Sequence, residues 1–179
     1  MLRIFLVAAL ALSCSGSLTA QWMQDGKPMA ETSWSKADGE LAAMLHLTDN
    51  PEKLFADWET ESAGVSFSGA ELTKRGEVIG GVVVFRGCAP SEKGFCNLTA
   101  TYTLFKPDGT VYDEPVEAEV WIDKPPPPRN DLQLGMGSYC VVIEPGDPLG
   151  RYRMQAEVRD HVAGKTIRLE RHFDAVEVP

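Results

Sequence analysis

A chain of 179 residues, 44% of them hydrophobic, carries enough apolar side chain to bury the core of one domain. Its formal net charge of −9 excludes the clustered Lys and Arg that nucleic acid requires, and it disfavours docking on anionic lipid.

Residues 1–20, MLRIFLVAALALSCSGSLTA, read as a cleavable signal peptide. Arg3 supplies a positive start, Ile4 to Leu12 form the apolar run, and Ser17 to Ala20 offer small residues for cleavage. That run is too short for a membrane span of roughly 20 residues, and no later run approaches that length. Lipid attachment at Cys14 is the competing reading, but Ala11 stands where such sites usually place Leu, and bulky Leu12 follows. The leader holds one Arg and no acid, so its removal takes the charge to −10. The expected location is periplasmic or secreted.

Residues 21–38 are polar and without pattern, with Trp22 and Trp34 embedded, and read as an extended N-terminal arm. From residue 39 to 179 the pattern is that of an all-β domain. Leu41, Ala43, Leu45 and Leu47 alternate with Ala42, Met44 and His46, which predicts a half-buried strand with Met44 and His46 facing the surface. Asn50 is a good N-cap, Pro51 suits the first helical position and Glu52 suits the positive helix end, so a short helix is expected near residues 50–58. Further strands are predicted over 65–72 (weakly), 77–86, 98–105, 116–122 and 139–143. Pro107-Asp108-Gly109 marks a turn, and the prolines 125–128 exclude sheet pairing. In the next strand Tyr152, Met154, Ala156 and Val158 face one way while Arg151, Arg153, Gln155, Glu157 and Arg159 face the other. A hairpin over 160–165 leads to a last strand through Ile167, Leu169 and Phe173.

Without the leader, Cys88, Cys96 and Cys140 remain, and an odd count in an oxidising compartment predicts one bridge and one spare thiol. Cys88 and Cys96 flank a short Pro- and Gly-containing segment that can fold back as a loop, so that pair is the expected disulfide, with Cys140 free and buried. The rival pairing joins Cys140 to Cys88 or Cys96 across strands.

Short strands at this spacing predict a sandwich or barrel. The segment Asp147-Pro148-Leu149-Gly150-Arg151-Tyr152-Arg153-Met154 resembles the tyrosine corner of immunoglobulin-like sandwiches, with Met154 where antibody domains carry Cys. The resemblance implies a buried Tyr152 whose hydroxyl bonds to backbone near the Asp147-Pro148 turn. Taken together, Trp58, the strand VVVF, Lys106-Pro107-Asp108-Gly109-Thr110 and the segment from Asp147 to Asp160 resemble uncharacterised secreted proteins of Gram-negative bacteria. Similar Pro-x-Gly-x-Tyr strands occur in macroglobulin-like and fibronectin type III modules. That resemblance implies no particular reaction.

Only His46, His161 and His172 are available as a catalytic base, and no G-x-S-x-G elbow is present, so no catalytic residue is assigned. Met44 and His46 are too few to hold copper, and turn chemistry accounts for Asp108, Asp147 and Asp160 without calcium. No cofactor or metal is expected. The function expected is a non-enzymatic binding or assembly module of the bacterial cell envelope. Its expected partner is another envelope protein, contacted through Trp22 and Trp34 of the arm or through an exposed sheet edge. The alternative is a periplasmic enzyme or metal carrier whose site forms only in three dimensions.

Overall fold

The computed structural model describes residues 23–24, 27–28, 30–60, 69–128 and 131–177. The signal-peptide reading, Trp22 and the first half (65–68) of the expected strand at 65–72 lie outside these residues. In chain order the elements are β1 (Met23–Gln24), β2 (Lys27–Pro28), β3 (Ser35–Asp38), β4 (Leu41–Thr48), α1 (Pro51–Thr60), β5 (Leu72–Lys74), β6 (Val78–Arg86), β7 (Cys96–Phe105), β8 (Val116–Lys124), β9 (Gln133–Val142), β10 (Gly150–Asp160) and β11 (Lys165–Val176). The fold is all-β with one short helix. Five strands form one sheet in the order β5-β11-β10-β7-β8, and four form a second in the order β3-β4-β6-β9. All main-sheet pairings are antiparallel except β5 with β11.

The two sheets face each other across a single main core. Leu45, Leu47, Ile79 and Phe85 from the four-stranded sheet meet Leu98, Tyr102, Met154, Leu169 and Phe173 from the five-stranded one. The alternation in β10 is obeyed residue by residue: Tyr152, Met154, Ala156 and Val158 are buried, and the intervening charged residues face outward. Burying such a side chain stabilises the fold by about 1.5–3 kcal/mol.

The strand β4 departs from its expected half-burial. Its outward row is covered too, and His46 is only 3% exposed. The helix α1 lies on the outer face of the four-stranded sheet and packs against Met44 of this row. Asn50 Oδ1 accepts from the Lys53 amide at 3.0 Å, so Asn50 caps the helix. Leu54 then packs with Val82, Val84 and Leu134, while Met44, Phe55 and Trp58 close the flanks of this second, smaller core. Met44 and His46 therefore do not form a surface pair.

The arm also ends earlier than its composition suggests. Ser35–Asp38 pairs in register with Leu41–Met44 as a hairpin, so the sheet begins at Ser35 rather than residue 39. Gly39 supplies the positive φ of 65° in that tight connection.

The disulfide joins Cys88 to Cys96, with a Cα–Cα distance of 6.0 Å. It staples the loop between β6 and β7. Cys140 is free but exposed, which corrects its expected burial. An apolar run gives no parity: Tyr139 and Val141 point inward, whereas Cys140 pairs with Gly80 on the outer face, beside Pro51 at the start of α1.

Candidate functional site

The turns at the two ends of the sheets are held by internal polar contacts. At one end, the buried Asp160 carboxylate accepts from the amides of Ala89, Val162 and Ala163 at 2.8–3.0 Å. At the other, Asp147 accepts from Tyr112 Oη at 2.5 Å and from the Glu144 amide at 2.8 Å. Arg75 reaches the carbonyls of Glu144 and Asp147 and the carboxylate of Glu177. The phenol and amide bonds hold the Asp147 carboxyl below its usual range, the Tyr112 bond contributing most. Asp108, also lowered by its bonds to Thr110, closes its own turn. Asp160 sits at the opposite end of β10 from Asp147, so the three loop acids do not converge. Among the described residues, no group of three or more His, Cys, Asp and Glu is placed to hold a metal ion.

Tyr152 is fully buried, and its hydroxyl donates to the Pro148 carbonyl at 2.6 Å, four residues upstream. Its ring stacks on Phe173 at 5.4 Å. The residue ties the loop after β9 to the core and is not accessible to a partner.

Trp34 is half-buried on its own domain. The Arg171 guanidinium lies 4.9 Å from its ring centroid, and its carbonyl accepts from the Leu45 amide at 2.9 Å. Trp34 therefore serves as a wall. With Ser33 and Glu71 it flanks β11 and lines an open cleft of about 330 Å³, completed by Arg151, Glu170, Arg171, His172, Phe173 and Asp174. Arg171 is the unexpected member: it shares the inward parity of Leu169 and Phe173, positions that are otherwise apolar. Burial lowers its pKa, and the charge of Glu71 opposes that shift. Burial likewise pushes the His46 pKa down to about 4, with the Arg171 charge adding to the shift. Composition did not mark Arg171, because a basic residue in an alternating strand reads as surface.

The outer faces of the two sheets differ. The helix α1 covers much of the four-stranded sheet, whereas no described element lies on the outer face of β8, β7, β10 and β11. Register places Glu119, Thr99 and Arg159 in one row across that face, and Glu117, Thr101, Glu157 and Arg168 in the next. Arg168 and Glu157 are paired at 2.6 Å, Arg153 and Glu170 at 2.9 Å, and the Arg153 guanidinium covers the Phe105 ring at 3.8 Å.

Sheet edges are largely covered from within. Glu31 Oε1 accepts from the Ala37 amide at 3.1 Å, and the Thr32 amide donates to the Ser35 carbonyl at 2.9 Å, so the preceding segment occupies the β3 edge. The β9 edge packs against β8 at Gly135 and Gly137, and Tyr112 Oη reaches the Val142 carbonyl at 3.4 Å.

No model of a known protein family matches this sequence, and no curated protein does. Among solved structures, the chain is similar to the C-terminal domain of Wzt, with 10% identity over 82% of this chain and 79% of that one, at a TM-score of 0.45. It is similar to a family 123 glycoside hydrolase from Clostridium perfringens, with 11% identity over 78% of this chain and 28% of that one, also at 0.45. A β-glucosidase from Listeria innocua gives 7% identity over 86% and 18%, at 0.37. This chain thus spans less than a third of either hydrolase. Likenesses this distant leave activity and ligand to be argued from the residues themselves. Among the described residues, no helix is long and apolar enough to cross a membrane.

Proposed function

We propose that this chain is an exported, non-enzymatic binding or assembly module of the bacterial cell envelope, built on an immunoglobulin-like β-sandwich. Strand order supports the architecture. β8, β7, β10 and β11 follow the immunoglobulin order C′-C-F-G, and β4, β6 and β9 follow A-B-E, with Tyr152 on the strand that corresponds to F. The leader sequence and a disulfide in a small chain support a periplasmic or secreted location.

The observation that carries the binding reading is the asymmetry of the outer faces. One is covered by α1; on the other no described element lies, and it is regular and laced with charges of both signs. Such a face suits another envelope protein, because mixed charge fixes register and rejects wrong partners. It does not suit nucleic acid, since Glu119 shares a row with Arg159, and Glu117 and Glu157 share one with Arg168. Strand addition at an edge is the weaker route, as the edges are largely occupied by the chain's own groups.

A photo-crosslinking residue at Thr101, in the middle of that face, tests this in intact cells. The expected result is a discrete adduct with an envelope protein, absent when the same residue replaces the exposed Glu52 of α1. No adduct at Thr101, or an identical one at both positions, sinks the docking surface.

A further inference from the structure

The charges on the outer face of the five-stranded sheet are laid out so that the face fits its own copy. Two ion pairs close within the chain, Arg168 with Glu157 at 2.6 Å and Arg153 with Glu170 at 2.9 Å. Glu117 and Glu119 on β8 and Arg159 on β10 are exposed, and among the described residues none of the three has an ion-pair partner. The strand between them, β7, turns only uncharged side chains to this face: Asn97, Thr99, Thr101, Thr103 and Phe105.

A second copy can be turned onto this face about a two-fold axis parallel to the strands, midway between β7 and β10. Then β8 faces β11 of the second copy, and β7 faces its β10. The row Glu117-Thr101-Glu157-Arg168 meets its own reverse, so Glu117 stands over Arg168 and Thr101 over Glu157. In the neighbouring row Thr99 stands over Arg159, and Glu119 lies one strand spacing to the side, about 4.8 Å, within reach of that guanidinium. Because β7 is uncharged, every charge of β10 meets a neutral side chain, and no row sets an acid directly over an acid. Other orientations lack this match, and the net charge of −9 opposes unspecific self-association.

The size of the face is sufficient. Eight residue steps along β7 span about 27 Å and four strands about 19 Å, so the pair buries on the order of 1,000 Å², the lower bound for a specific interface. A face of that size suits a reversible dimer.

We propose that this face binds a second copy of the same chain, as a two-fold dimer in which Glu119 of each copy meets Arg159 of the other. The inference rests on the docking-face reading and names its partner.

Sedimentation velocity on the exported chain, from low micromolar to submillimolar concentration, measures the pairing. A monomer–dimer equilibrium is expected, weakened at least tenfold by Glu119→Arg alone and by Arg159→Glu alone. Glu119→Arg lowers the net negative charge, so a general charge effect would strengthen association, and only a specific contact weakens it. An equimolar mixture of the two variants restores opposite charges at both contacts, and a dimer of one copy of each should form at near wild-type strength. Glu59→Arg, the same charge change at an exposed position of α1, should not weaken the dimer. Circular dichroism checks that each variant is folded. A monomer at every concentration, a dimer that both reversals leave intact, or a mixture that stays monomeric overturns the proposal. The Thr101 crosslink separates the failures. An adduct of twice the chain's mass is expected; an adduct with a different protein, from a chain that stays monomeric, keeps the docking face and removes the self-pairing, whereas no adduct removes both.

Discussion

Gly137 of β9 lies against Ala118 of β8 so closely that a β-carbon added at 137 would sit 3.0 Å from the Ala118 β-carbon. The same added atom would lie 3.0 Å from the Glu119 carbonyl oxygen. Two strands from different sheets thus meet where a side chain is missing, and an edge that would otherwise be open is closed.

Gly137→Val should therefore push β8 and β9 apart, at a cost of about 1–3 kcal/mol. Urea unfolding measures the loss, and hydrogen exchange should show faster exchange of β8 amides than in the wild type. A variant of unchanged stability and exchange would show that the close approach is dispensable.

The Cys88–Cys96 bridge closes a short loop, with a sequence separation of 8. In the chain-entropy model its removal by a double Cys→Ser substitution costs about 2–3 kcal/mol. In the folded protein one thiol, Cys140, should react with an aromatic disulfide reagent, because it is exposed on the outer face of β9. Peptide mapping that finds Cys140 bridged, or a folded protein with no reactive thiol, would contradict this arrangement.

Tyr152→Phe removes the hydrogen bond to the Pro148 carbonyl and keeps the ring stack on Phe173. The expected cost is about 0.5–1.5 kcal/mol, seen as a fall of a few degrees in melting temperature with an unchanged far-ultraviolet spectrum. An unshifted melting curve would mean that the corner does not brace the β9–β10 loop.

Much of this arrangement was legible in local chemistry. The alternation of β10 gave its dry and wet faces, and Asn50-Pro51-Glu52 gave the start of α1. The segment Asp147 to Met154 placed Tyr152. What was not legible depends on contacts distant in sequence. The burial of His46 requires cover on a strand face that reads as polar, and the exposure of Cys140 requires knowing that α1 begins beside it, at Pro51, without covering it. Ser35–Asp38 shows no periodicity over four residues and becomes a strand only because β4 offers it an edge. Arg171 is the clearest case. Its identity argues for the surface, its parity argues for the core, and the open cleft between the sheet edge and Trp34 reconciles the two.

Acid should expose the role of His46. The residue is buried, and burial first, then the nearby Arg171 charge, hold its pKa at about 4 instead of 6.5. The unfolded chain therefore takes up a proton near pH 6.5 that the folded chain refuses until about pH 4. Above pH 6.5 this group supports folding in full. The support is lost as pH falls from 6.5 towards 4, since only the unfolded state gains from protonation in that window. Allowing for solvent screening, the loss is on the order of 1–2 kcal/mol. Urea unfolding of wild type and His46→Gln at several pH values isolates it, because titrating carboxylates affect both proteins alike. The stability of wild type relative to the variant should fall steadily across the window and level off below it. Arg171→Met should raise the His46 pKa, with the ring followed directly by NMR. A ring that titrates near 6.5 in the folded wild type, or a difference between the two proteins that does not change with pH, would show that His46 is accessible to water after all.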